Sequence, residues 1–223
     1  GRELDVVTQA ETIDSFRPLR ESYGSLGVAL AMCEAVDHLA QDRQASPALQ
    51  RMLVGALSTL ARAPWAPVGA AFFWRLLCLE GCAPMVDEEC VRCGDDTGAD
   101  RPGSVAFSIG EGGVLCWECA GPEPLRISGE ALALVRSVLS GEVRAALAEE
   151  SPAWGEAGRI GLFALENHLE RRLKSARLLM AFPEPSSAPP SSASPSSASP
   201  SSLVEESGAV EDAPAHRETR ASA

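Results

Sequence analysis

Long apolar runs are missing from this 223-residue chain. No stretch approaches the roughly 18 consecutive apolar residues that a membrane-spanning helix requires, because charges or prolines interrupt every run, and the chain is expected to be soluble. A basic excess is missing too: 31 acidic against 19 basic side chains leave a net charge of −12. That balance argues against holding nucleic acid through bulk electrostatics and leaves only a local basic patch, acting within about a Debye length, ~8–10 Å at physiological salt. No basic segment followed by an apolar one opens the sequence, so no secretory signal is read, and a chain opening on glycine rather than methionine is expected to be a fragment or processed product. The phosphate loop, the dinucleotide-binding glycine pattern and the nucleophile elbow are all absent. His38, His168 and His216 are scattered, and no internal repeat is found. With no catalytic constellation in view, the chain is not expected to be an enzyme.

What is present divides sharply after Phe182. Residues 183–202 hold ten serines and six prolines with no large apolar side chain, and 203–223 add only Leu203, Val204 and Val210. Burial there cannot offset the cost of ordering the chain, so 183–223 reads as a disordered, acidic tail. Removing its six acidic and two basic residues leaves 25 against 17 in positions 1–182, a net charge of −8 intrinsic to the part that folds.

Within that part the periodicities favour helices. Tyr23, Leu26, Leu30, Cys33 and Val36 recur at steps of three or four, as do Leu49, Met52 or Leu53, Ala56 and Leu60 behind Pro47, a residue suited to a first helical turn. A third helix is expected from about Pro67 through Val68, Phe72, Leu76 and Leu79, stopping at Gly81. Ser128 is a plausible N-cap for a fourth, carrying Leu132, Val135 and Leu139, and a long last helix is expected to carry Leu162, Leu165, Leu169 and Leu173. Glu3–Thr12 alternates as a short strand does.

The strongest chemical signal is Cys90-Val-Arg-Cys93, then 22 residues, then Cys116-Trp-Glu-Cys119. Two residues between cysteines let one tight turn aim both sulfurs at a single ion, and two such turns complete a closed tetrahedron with Zn–S bonds of about 2.3 Å. Between the pairs, Val105, Phe107 and Ile109 alternate, Gly110–Gly113 turn, and Val114 and Leu115 lead back, so the insert is expected to be a hairpin whose folding draws on structural zinc. Two disulfides are the competing use of Cys90, Cys93, Cys116 and Cys119; the odd total of seven cysteines disfavours them. A redox dithiol lacks its strand-to-helix setting. His168-Leu-Glu170 follows both cysteine pairs, the reverse of the zinc deaminase order, and Glu170 reads as a solvated helix residue. Cys33, Cys78 and Cys82 lie on or beside apolar faces and read as small hydrophobes.

The run Arg75-Leu-Leu-Cys-Leu-Glu-Gly81-Cys-Ala-Pro84-Met-Val-Asp-Glu-Glu-Cys90-Val-Arg-Cys93-Gly94 resembles the helix and first zinc knuckle of the RecO family of bacterial DNA repair proteins. Phe107-Ser108 and Gly112-Gly113-Val-Leu-Cys116-Trp-Glu-Cys119 resemble its second knuckle, Ile127-Ser128 its next helix start, and Leu173-Lys174-Ser175 its C-terminal motif. Leu4-Asp-Val-Val-Thr-Gln9-Ala10-Glu11, with Phe16 and Leu19-Arg20, resembles the last strand of the family's oligonucleotide-binding (OB-fold) barrel and the linker beyond it. The resemblance implies a recombination mediator that acts with RecR to load recombinase on single-stranded DNA, anneals complementary strands, and takes the C-terminal tail of single-stranded-DNA-binding protein on its helical domain. It further implies a bacterial cytoplasmic, nucleoid-associated protein with no membrane partner. A chain starting this close to the end of the barrel is expected to lack most of it, and with it much DNA affinity.

The expected architecture is therefore mainly α: an OB-fold barrel remnant over 1–16 and a helical bundle over 17–182 carrying a four-cysteine zinc hairpin at 88–121. Arg171, Arg172, Lys174 and Arg177 on the last helix, with Arg17 and Arg20, are candidate DNA contacts. Against that stands a purely stabilising role, since cations near a helix C-terminus favour its dipole by about 0.3–1 kcal/mol each. Phe72, Phe73, Trp74 and Leu76 crowd one helix, either as core or with one of them at a groove for a hydrophobic peptide end. Trp117 either faces solvent or covers the hairpin. The competing function is a zinc-stabilised protein-interaction module without DNA activity, and a zinc hydrolase is a distant third.

Overall fold

A 3-10 turn at Arg17–Glu21 leads into α1 (Tyr23–Leu39), followed by α2 (Pro47–Leu60) and α3 (Trp65–Leu79). Three short strands come next, β1 (Ser104–Ser108), β2 (Gly113–Leu115) and β3 (Leu125–Ser128), and then α4 (Gly129–Leu139), α5 (Val143–Leu147) and α6 (Ala153–His168). The computed structural model describes residues 6–40, 45–99 and 103–177. The tail at 183–223 and Leu4 of the expected N-terminal strand lie outside them.

Local chemistry sets the helix ends. The Ser22 hydroxyl accepts the Ser25 amide and the Ser128 hydroxyl accepts the Ala131 amide, each occupying one of the amides that a helix start leaves unpaired. Pro47 opens α2, where its fixed φ and missing N–H cost nothing. At the end of α3, Gly81 takes φ 77° while the Cys82 amide reaches back to Leu77 and the Gly81 amide to Cys78, closing the helix as the glycine signalled.

α3 is the central element. Phe72, Phe73, Trp74 and Leu76 are all buried in the core, and of the four Phe72 also reaches the wall of a groove with Met52 and Ala56 of α2. The Trp74 indole donates to the Ala157 carbonyl of α6 at 3.0 Å and meets Phe107 of β1 edge-on at 6.2 Å, so one side chain joins the bundle to the sheet. The sheet is antiparallel with order β2-β1-β3, pairing Ala106 with Leu115 on one side and Val105 with Ile127 on the other.

Several expectations are corrected. The buried face of α1 is Val28, Ala31, Met32 and Ala35, whereas Tyr23, Leu30 and Cys33 are exposed; alanines, which permit close approach, turned the helix relative to the stripe of larger side chains. Cys82 is exposed as well. Val6–Thr12 forms no strand, and Val6 and Val7 stand open to solvent. The third strand, β3, and the five-residue α5 were not expected. The helix expected to carry Leu162 through Leu173, α6, stops at His168. Glu170 adopts φ 51° just past its end, with the Arg171 amide bonded to Glu166 and the Glu170 amide to Asn167, the same closure that Gly81 gives α3. Glu170 is thus a left-handed cap residue, and Leu173 is buried beyond the helix.

Candidate metal centre and basic segment

Residues 85–91 run beside the β1–β2 hairpin. The Met85 amide donates to the Gly112 carbonyl at 2.8 Å, the Val114 amide to Met85 at 3.0 Å, and the Val91 amide to Val114 at 3.0 Å. This close approach requires glycine at 113, because a Cβ there would lie 2.3 Å from the Met85 carbonyl oxygen. Each cysteine pair ends in a tight turn: the Gly94 amide bonds the Cys90 carbonyl at 2.8 Å, and the Ala120 amide bonds that of Cys116 at 3.0 Å. The turns bring the sulfurs of Cys90, Cys93, Cys116 and Cys119 within 4.8 Å of one another. The Cys93 and Cys116 sulfurs are 3.6 Å apart, close to the ~3.8 Å edge of a tetrahedron built on 2.3 Å bonds.

The donor set suits a thiophilic ion. Burial raises the Cys90 thiol pKa, but the amides of Cys116, Cys93 and Arg92 pointing at its sulfur outweigh that and lower it to about 6. Cys90 and Cys116 are buried, Cys119 is half-buried and Cys93 is exposed. Arg92, between the first two cysteines, clamps the module: its guanidinium donates to the Cys119 carbonyl at 2.8 Å and grips both Glu111 oxygens. Trp117, between the other two, is 83% exposed, which selects the solvent-facing alternative for its ring.

The candidate DNA contacts do not form one group. Arg17 pairs with Glu21 at 3.5 Å on the exposed 3-10 turn, where Arg20 is also exposed. Arg171, Arg172, Lys174 and Arg177 follow α6 rather than belonging to it, so they cannot act as last-turn residues of that helix. Arg171 lies 3.4 Å from the His38 Nδ1, and Arg172 pairs with Glu166 at 3.7 Å.

Two carboxylates that sequence reasoning passed over hold this segment in place. Glu166, buried on α6, accepts the Leu173 amide at 2.8 Å. Glu34, on α1, accepts the amides of Lys174 and Ser175, each at 2.8 Å, and the Ser175 hydroxyl. The Leu173-Lys-Ser175 motif was the available signal, but its partners on other helices were not.

Fold and site together define a mainly helical protein with a small sheet pinned beside a cluster of four cysteines placed to hold one metal ion. Among the described residues no other cluster of three histidine, cysteine or acidic side chains is placed to share an ion. Residues 20–177 match the family model described as recombination protein O C terminal. Proteins named DNA repair protein RecO are similar in sequence. Those of Streptomyces griseus and Streptomyces coelicolor are 36% identical over 183 residues, 79% of this chain and 71% of theirs. The one from Symbiobacterium thermophilum is 36% identical over 188 residues, 80% of this chain and 72% of its own. The chain belongs to the RecO family of DNA repair proteins.

Proposed function

We propose that this chain is a recombination mediator. It works without catalysis of its own, acting with RecR to help load recombinase onto single-stranded DNA covered by single-stranded-DNA-binding protein, and promoting annealing of complementary strands. The observation that carries the reading is the family match across the whole described bundle, 20–177, with the four sulfurs gathered inside it. Its domain plan is the end of an OB-fold barrel at 1–16, a helical part at 17–182 and an acidic tail at 183–223. Zinc held by Cys90, Cys93, Cys116 and Cys119 is structural: four thiolates leave no coordination position for water, so the ion supplies folding energy rather than chemistry. Exposed Arg20, Arg171, Arg172, Lys174 and Arg177, with Arg17, supply phosphate contacts in a chain otherwise rich in acid.

A groove between α2, α3 and α5 supports docking of the single-stranded-DNA-binding protein tail. Met52, Ala56, Ala71, Phe72 and Val143 line it, and Arg75 at its side offers a guanidinium to a terminal carboxylate. Annealing of complementary oligonucleotides coated with single-stranded-DNA-binding protein tests the reading. Acceleration by the zinc-loaded chain, lost when the coating protein lacks its tail, is expected. Unchanged annealing, with no micromolar binding of a labelled tail peptide, moves the chain to the competing class, a zinc-stabilised interaction module for which exposed Trp117 is the favouring feature.

A further inference from the structure

Two adjoining grooves run beside α6 and the segment that follows it, sharing Phe163, Glu166 and Arg172. One extends past Leu173 to Arg177, and the other past Arg171 to Ile109, in the turn just beyond β1 of the metal module. Phe163 is half-buried, whereas Arg171, Arg172 and Arg177 are exposed. Three guanidiniums therefore face two carboxylates, Glu166 and Glu170, and the first of these is already committed to the Leu173 amide and to Arg172. A surplus of positive charge around a concave aromatic site is notable in a chain of net charge −12. Lys174, Arg17 and Arg20 do not line either groove.

We infer that this double groove is a base-stacking subsite for single-stranded DNA, in which Phe163 receives one unpaired base and Arg171, Arg172 and Arg177 hold the phosphates on either side. The inference rests on the DNA-repair reading above and narrows it to one place. An aromatic face set among cations suits a strand whose bases are free to leave the stack, and paired bases of a duplex cannot enter it. Ile109 closes the far end of the groove, so the metal module forms part of its wall.

Anisotropy of a labelled oligo(dT) across a salt series, with the full metal-loaded chain, tests this. Phe163→Leu keeps apolar bulk and removes the ring; it is expected to weaken binding roughly five- to hundredfold, while Phe163→Tyr keeps the affinity of the parent. The double variant Arg172→Gln/Arg177→Gln, at exposed positions and checked for an unchanged Tm, is expected to flatten the slope of log affinity against log salt by roughly 0.7 for each phosphate no longer neutralised. Arg144→Gln, at an exposed position of α5, is expected to change neither quantity. Parent-like affinity of Phe163→Leu, or an unchanged slope in the double variant, overturns the subsite while the DNA reading survives. Failure of the parent chain to bind oligo(dT) at low salt overturns both.

Discussion

The Glu34 carboxylate on α1 accepts the backbone amides of Lys174 and Ser175, both at 2.8 Å, across 140 and 141 residues of sequence. A side chain near the start of the bundle thereby fixes the segment that carries its basic residues. Burial raises the Glu34 pKa, but the Ser175 hydroxyl, the two amides and nearby His38 prevail and lower it to about 2.

Glu34→Ala is expected to destabilise the fold by about 1.5–3 kcal/mol, the usual range for hydrogen bonds to a charged group, as read by urea unfolding at neutral pH. The pH dependence has a defined sign. Because the folded-state pKa lies below the ordinary 4.5, the contribution is complete above that value and is lost as pH falls toward about 2. The gap in stability between parent and variant should therefore shrink between roughly pH 5 and pH 2.

Removing the metal should loosen the module before the bundle. Chelation, or Cys116→Ser, is expected to lower Tm by on the order of 10 °C, as several kcal/mol are lost from a domain of this size. Amides of Val91 and Val114 should lose protection from hydrogen exchange while those of α3 and α6 keep it. Elemental analysis of the untreated chain is expected to give one zinc per molecule.

Gly161→Ala tests the packing of α3 on α6. A Cβ at that position would lie 2.9 Å from the Trp74 Nε1, and Trp74 is fully buried with nowhere to move. Shifting the indole breaks its bond to Ala157, so a loss of about 1–3 kcal/mol is expected, with a change in tryptophan fluorescence.

At the end of α6, Glu170 holds a backbone conformation that glycine adopts without penalty. Glu170→Gly is expected to raise stability by about 0.5–1 kcal/mol, measured by thermal unfolding.

The same residue shows where sequence reasoning stopped. Gly81 announced the end of α3, and Ser128 announced the start of α4, because each signal resides in one side chain acting on its own neighbours. Glu170 announces nothing, so the expected helix ran on to Leu173, and the arginines beyond it were placed on the wrong element. The hairpin was legible because Val105 and Phe107 alternate between two turns. Its third strand was not, since only Ile127 of β3 is fully buried and pairing with β1 is a long-range event. On α1 the rule of large apolar residues chose Tyr23, Leu30 and Cys33, whereas the core selected Ala31 and Ala35 for their small size. The spacing of the four cysteines was plain in the sequence; the Arg92 clamp and the Glu34 and Glu166 anchors depend on partners that only the fold brings near.

The lengths of chain between interacting groups also carry a consequence for synthesis. All four sulfurs leave the ribosome within one short stretch, Cys90–Cys119, and β1 and β2 pair inside it. Trp74, which emerges before any of them, waits for a partner 83 residues downstream. Gathering the sulfurs therefore closes a much shorter loop than joining α3 to α6, and costs the chain less entropy.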